Sequence, residues 1–218
     1  MEQISVKRHV LPQYTIGEEI FNAVSHGVGA LFGIAGCTLL LLRAIRFSGA
    51  LGITAAAIYG GTLILLYTMS TLYHALTGRR SKYVFRVFDH CTIFLLISGT
   101  YTPMLLVLLG DLRGQILCLL LWVLTALCVT LNAIDLERYR VFSMVCYIGM
   151  GWCAVAVILP IARALGVLGF SLLLLGGISY TAGLLFFRSK KRYMHAIWHL
   201  FVLAGSILQY FCILFFVY

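Results

Sequence analysis

Residues 194–217 read MHAIWHLFVLAGSILQYFCILFFV. The stretch has no Asp, Glu, Lys or Arg, and it is longer than the about 20 apolar residues a helix needs to cross a bilayer. Polarity is concentrated in its first two turns, where His195 and His199 stand one helical turn apart. An imidazole is costly in lipid unless it has a partner, so this segment reads as a transmembrane helix that opens on chemistry.

Working outward, six further apolar runs lie near 20–42, 51–76, 84–109, 114–134, 141–162 and 165–187. The connections between them are short. Of the 218 residues 62% are hydrophobic and only 11% charged, with a mean hydropathy of +1.02. A soluble domain of this length needs more polar surface, so the expected fold is all-α: a polytopic membrane protein built as a seven-transmembrane-helix bundle. A short tail, 1–17, precedes a single transmembrane domain, 18–218. The first apolar run is too long for a secretory signal core and is expected to stay in the membrane. No internal repeat is visible, which argues against an inverted-repeat transporter.

Charge sets the orientation. Twelve of the 16 Lys and Arg fall on one side of such a bundle, among them Arg79, Arg80, Lys82, Arg86, Lys191 and Arg192. The other side holds Arg43, Arg46, Arg113 and Arg163. By the positive-inside rule the N-terminus is cytoplasmic and the C-terminus outside. The net charge of +9 is thereby explained by loop residues beside membrane segments, and nucleic acid is excluded as a partner. The seven cysteines lie mostly within apolar runs and form no CxxC pair, which excludes a disulfide framework and a zinc–thiolate site. All four lysines (Lys7, Lys82, Lys190, Lys191) lie in the N-terminal tail or in loops, so a retinal-type Schiff base is excluded as well.

In this topology His74 closes the second span, Ser70 lies one turn deeper, and Asp89 lies one to two turns into the third. With His195 and His199, five polar side chains share one depth on the cytoplasmic side. Residues at i and i+4 leave the same helix face, so His195 and His199 can bind one ion. The spacing is that of the HExxH zinc helix, but Ala196 stands where that motif has its Glu. Three neutral imidazoles with an open fourth position make a catalytic zinc arrangement. Asp89 could then serve as general base or orient a ligand, and Ser70 could donate to the site or to a tetrahedral oxyanion. A serine in a helix more commonly bonds back to its own backbone. His90 points about 100° away from Asp89 and is expected to face a neighbouring helix. Glu19, Asn22 and His26 share one face of the first span. A helix cap accounts for Glu18 and Glu19, while His26, about two turns deeper, could line the same cavity. Pro103 frees the carbonyl of Gly99, and Thr100 and Thr102 are placed to resatisfy the backbone at a kink there.

Several stretches resemble the hemolysin III family, the bacterial branch of the progestin and adipoQ receptor proteins. They are Glu-Glu-Ile-Phe-Asn-Ala-Val-Ser-His-Gly (18–27), Ser-Thr-Leu-Tyr-His (70–74), Phe-Asp-His-Cys (88–91), Ser-Gly-Thr-Tyr-Thr-Pro (98–103) and His-Ala-Ile-Trp-His (195–199). The resemblance implies a seven-helix bundle with zinc near the cytoplasmic face on His74, His195 and His199. Asp89 and Ser70 take the water-binding or supporting roles in that pattern. The wider superfamily includes alkaline ceramidases and adiponectin receptors, which implies hydrolysis of lipid amides and a part in membrane lipid composition. The long N-terminal domain of the adiponectin receptors is absent, so hormone binding is not carried over.

Three readings remain open at this stage. One is a zinc hydrolase of lipid amides or esters in the bacterial inner membrane, with membrane lipids as its partners. Another is a zinc-stabilised lipid sensor without turnover. The third is a pore-forming cytolysin, which the near absence of charge in the middle of the spans disfavours.

Overall fold

The computed structural model describes residues 11–187, 189 and 191–218. Residues 1–10 of the expected tail lie outside the described residues, with Lys7 and Arg8, as do Arg188 and Lys190. All regular structure among the described residues is helical: α1 (Ile16–Phe47), α2 (Ala50–Ala75), α3 (Arg79–Pro103), α4 (Leu112–Asp135), α5 (Arg140–Trp152), α6 (Ile158–Phe187) and α7 (Met194–Phe216).

Local chemistry explains where these helices begin and end. A capping box starts α1 four residues before its apolar run: Glu18 N–H donates to Thr15 Oγ1 at 3.3 Å, and Thr15 N–H donates to Glu18 Oε2 at 2.9 Å. Pro103 cannot donate within the helix, and α3 passes there into a π-helical segment, Met104–Leu109. Thr100 and Thr102 donate to the carbonyls of Leu96 and Ser98, both at 2.8 Å. Neither serves Gly99 as expected, because an i−4 carbonyl is what a helical Thr hydroxyl reaches. Gly110 then turns left-handed (φ 63°), and Asp111 caps α4 by accepting Gly114 N–H at 2.8 Å.

Among the described residues, six helices are long and apolar enough to cross a membrane. One of them is the continuous 48-residue run Arg140–Phe187, which joins α5, a 3₁₀ turn (Cys153–Val157) and α6. The two spans expected over 141–162 and 165–187 are therefore joined. Within the run, however, Gly166 leaves helical geometry (φ 65°, ψ −176°), a conformation open to glycine because it has no Cβ.

In the bundle α2 and α3 are the most enclosed helices, while α1, α4 and the run through α5 and α6 lie on the periphery. Apolar side chains such as Leu31, Val167 and Leu185 are exposed on that outer surface, as expected of helices bathed in lipid. Close approach depends on the glycines of α1. A Cβ at Gly29 would lie 2.5 Å from the Tyr67 ring of α2, and one at Gly36 would lie 2.9 Å from Tyr210 of α7. With no hydrophobic drive between helices in lipid, small residues let these backbones pack.

Candidate metal centre

One carboxylate registers α1 against α7. Glu18 Oε2 closes the capping box of α1, and its Oε1 accepts the backbone N–H of Tyr193 at 2.7 Å. Tyr193 is the one non-glycine residue with positive φ (61°) among the described residues, and it is the residue from which α7 starts. This contact brings the first turns of α1 and α7 together, placing His195 and His199 opposite the last turn of α2, where His74 lies.

The nitrogens of His74, His195 and His199 lie within 4.8 Å of one another, and all three residues are buried among the helix ends. The Nε2 atoms of His195 and His199 are 3.2 Å apart. Two nitrogens bound tetrahedrally at zinc–nitrogen distances of about 2.0–2.1 Å stand about 3.3 Å from each other. The i, i+4 pair is thus already spaced as two ligands of one such ion. His74 Nε2 is buried without a hydrogen-bond partner, an arrangement that costs free energy unless something else is bound there. The three residues could hold a metal ion, and imidazole nitrogens suit zinc by donor type.

Glu19 is not a cap. Its Oε2 lies 2.7 Å from His74 Nδ1, and its Oε1 pairs with Lys82 Nζ at 2.7 Å. A proton on Nδ1 donated to Glu19 leaves the lone pair of His74 on Nε2, the nitrogen without a partner. This is the carboxylate–histidine arrangement that orients metal ligands. The Asn22 amide, 3.5 Å from the same Nδ1, then has no lone pair to bond there, and Asn22 Oδ1 is likewise buried without a partner. Glu19→Gln is expected to weaken metal binding roughly 10–100-fold without unfolding the bundle. Competition titration against a zinc chelator measures this, and unchanged affinity would deny Glu19 the role.

The remaining candidates separate in space. Ser70 is fully buried and its hydroxyl faces Asp89, unlike that of neighbouring Thr71, which bonds back to the Tyr67 carbonyl at 2.7 Å. Asp89 is buried at the same end, close to His74 and within hydrogen-bonding reach of the Ser70 hydroxyl. His90 turns away from the trio: its Nδ1 lies 2.9 Å from the Arg86 carbonyl, and its own carbonyl accepts the Tyr147 hydroxyl at 2.8 Å. His26 stacks on His199, ring centroids 3.6 Å apart and planes 10° from parallel.

Sequence reasoning missed three contributors. Tyr14 lies over His195 and His74, with ring centroids at 5.0 and 5.7 Å. Burial, reinforced by the charge of Glu19, pushes its phenol pKa up and keeps it neutral. Lys82 counted only toward orientation, yet it also donates to the Tyr73 and Leu76 carbonyls, capping α2. Glu18 carried a capping signal that said nothing of its second bond to Tyr193.

An almost wholly apolar cavity of about 190 Å³ extends from this end between α3, α5, α6 and α7. His26, Asp89 and His90 line it, with Ile97, Leu173 and Val202 among its apolar walls. The arrangement could hold an amphiphile with its polar group beside the imidazoles and its chain among these helices.

The sequence model of the family described as Haemolysin-III related matches residues 14–210. The chain is 41% identical to Hemolysin-3 of Bacillus cereus over 203 residues, which cover 93% of each protein. It is 39% identical to the Hemolysin-3 homolog of Bacillus subtilis over 204 residues, 93% of this chain and 96% of the relative. Similarity extends to the human Monocyte to macrophage differentiation factor, 30% identical over 166 residues, 72% of this chain and 68% of that one.

Proposed function

Because the chain belongs to the Haemolysin-III related family, we propose that it is a zinc-dependent hydrolase of lipid amides or esters that contributes to membrane lipid homeostasis. Six helices able to cross a membrane, together with the Bacillus relatives, make it an integral protein of the bacterial cytoplasmic membrane. The observation that carries the reading is a buried trio of imidazoles at the head of an apolar cavity.

In this reading the break at Gly166 divides the run from Arg140 to Phe187 into two spans, giving seven. At about 1.5 Å per residue, an unbroken helix of that length would be more than twice as long as the hydrocarbon core is thick. The N-terminus is then cytoplasmic, the C-terminus outside, and the histidines lie near the cytoplasmic face, the side rich in Lys and Arg.

Held by His74, His195 and His199, zinc would supply Lewis-acid polarisation of a carbonyl and acidification of water. Asp89, buried and bordering the cavity, takes the proton. Ser70, beside Asp89, donates a hydrogen bond to the oxygen on which charge develops. The cavity walls hold the acyl chain and keep bulk water out. Three protein ligands leave room for chemistry, whereas a purely structural zinc site has four.

The test is release of fatty acid from a panel of lipid amides and esters by purified protein. Turnover that disappears with chelation and returns with zinc is expected. Stoichiometric zinc without release from any member of the panel would replace the hydrolase by a lipid sensor. The printed names of the Bacillus relatives favour a second reading, a cytolysin. Against it, the buried charged side chains among the described residues, Glu18, Arg86 and Asp89, sit at one end of the bundle rather than along a continuous path.

A further inference from the structure

His26 is a buried polar residue at this end that neither the metal trio nor the hydrolytic roles employ. It is 1% exposed, and both its Nδ1 and Nε2 lack a hydrogen-bond partner. A buried neutral imidazole has one donor and one acceptor to satisfy, and leaving both unmet is costly.

Two structural explanations fail. A ring can be buried purely as packing, but an apolar aromatic would fill that place without the cost of two unpaired nitrogens. Nor is His26 a fourth ligand. A metal lies close to the plane of each imidazole that binds it. The rings of His26 and His199 are stacked 3.6 Å apart at 10°, so their planes share no point within bonding reach of either ring. If His199 binds the ion, His26 does not.

A third observation shows where His26 leads. The residue lines the apolar cavity, next to the wall that Asp89 and His90 form. Its ring and that of Tyr67 meet at 88° with centroids 5.0 Å apart, which with the stack on His199 holds the imidazole between two aromatic partners. A rigid donor–acceptor pair at the polar end of an otherwise apolar cavity is built to select a ligand by its head group.

We propose that His26 is a substrate-binding residue that hydrogen-bonds the carbonyl group of a single-chain lipid amide or ester beside the metal site; this rests on the hydrolase reading above. The contact is made by the neutral ring, whose N–H donates to the lipid carbonyl oxygen.

The test is equilibrium binding of two radiolabelled probes, palmitamide and hexadecane, to zinc-loaded protein in detergent, with zinc content measured alongside. His26→Phe keeps the stack and removes both nitrogens. It is expected to bind palmitamide about tenfold more weakly, the loss of roughly one hydrogen bond, with hexadecane binding and zinc content unchanged. His26→Gln, which restores a donor and an acceptor, is expected to stay within about threefold of wild type for palmitamide, and it carries the test if His26→Phe does not fold. Palmitamide binding that is unchanged in His26→Phe, or as weak in His26→Gln as in His26→Phe, overturns the proposal. So does loss of zinc from His26→Phe, which would make His26 a support of the metal. Failure of the wild type to bind either probe would instead overturn the lipid reading itself.

Discussion

His199→Ala is expected to emerge from purification without metal, whereas wild type carries close to one zinc per chain. His199 contributes the nitrogen already spaced 3.2 Å from that of His195, and it is fully buried. Structural zinc sites bind with apparent free energies of about 10–16 kcal/mol shared among four ligands. Loss of one imidazole should then weaken binding by on the order of 10²–10³-fold, enough for dialysis to strip the ion. The fold should survive, because α7 is held elsewhere: Tyr67 of α2 donates to Ser206 Oγ at 2.7 Å, and Tyr210 donates to the Gly36 carbonyl at 2.9 Å. Elemental analysis of the two proteins measures the difference. Chelator should lower the melting temperature of wild type but not of the variant, since only a bound ion contributes by mass action. Stoichiometric zinc retained in His199→Ala would end the metal centre as described.

Asp89→Asn should have the opposite signature, with zinc retained and turnover lost. The carboxylate is buried beside the cavity and lies outside the group of nitrogens that can close on one ion. Its Oδ2 lies 3.7 Å from His90 Nδ1, beyond hydrogen-bond length, and the Ser70 hydroxyl lies within hydrogen-bonding reach of it. Asparagine preserves shape but cannot accept a proton. A general base contributes roughly 10²–10⁴-fold to rate, and a loss of that order is expected in fatty acid release. Unaltered turnover would remove Asp89 from the chemistry, and loss of zinc along with activity would make it a ligand instead. Measuring both quantities on one preparation separates the two outcomes.

Much of the site was legible before the structure because helical spacing is local. The i, i+4 relation of His195 and His199, and the shared face of Glu19, Asn22 and His26, follow from 3.6 residues per turn. Hydropathy and charge likewise placed His74, Ser70 and Asp89 at a common depth. What spacing does not contain is the rotation of each helix toward its neighbours. Glu19 and Glu18 are adjacent acids in a first turn, and the sequence offers capping as the explanation for both. In the bundle they diverge by about 100° around the axis, so Glu18 caps α1 and holds Tyr193 while Glu19 meets His74 and Lys82. Ser70 shows the same limit in reverse: helical serines commonly bond back to their own backbone, yet here the hydroxyl faces Asp89 of the next helix.

By itself, then, the amino-acid order determined an all-helical membrane protein, and it determined which polar side chains reach one end of the bundle. Both follow from properties that add along the chain, namely apolar length, charge between segments and the helical repeat. The tertiary structure alone decided that α5 and α6 run together through Gly166, that the imidazoles of α2 and α7 face each other, and that His26 lies flat on His199 rather than edge-on to the ion. Those outcomes depend on how helices far apart in sequence approach and rotate, which close contacts such as Gly29 against Tyr67 fix only once the bundle has packed.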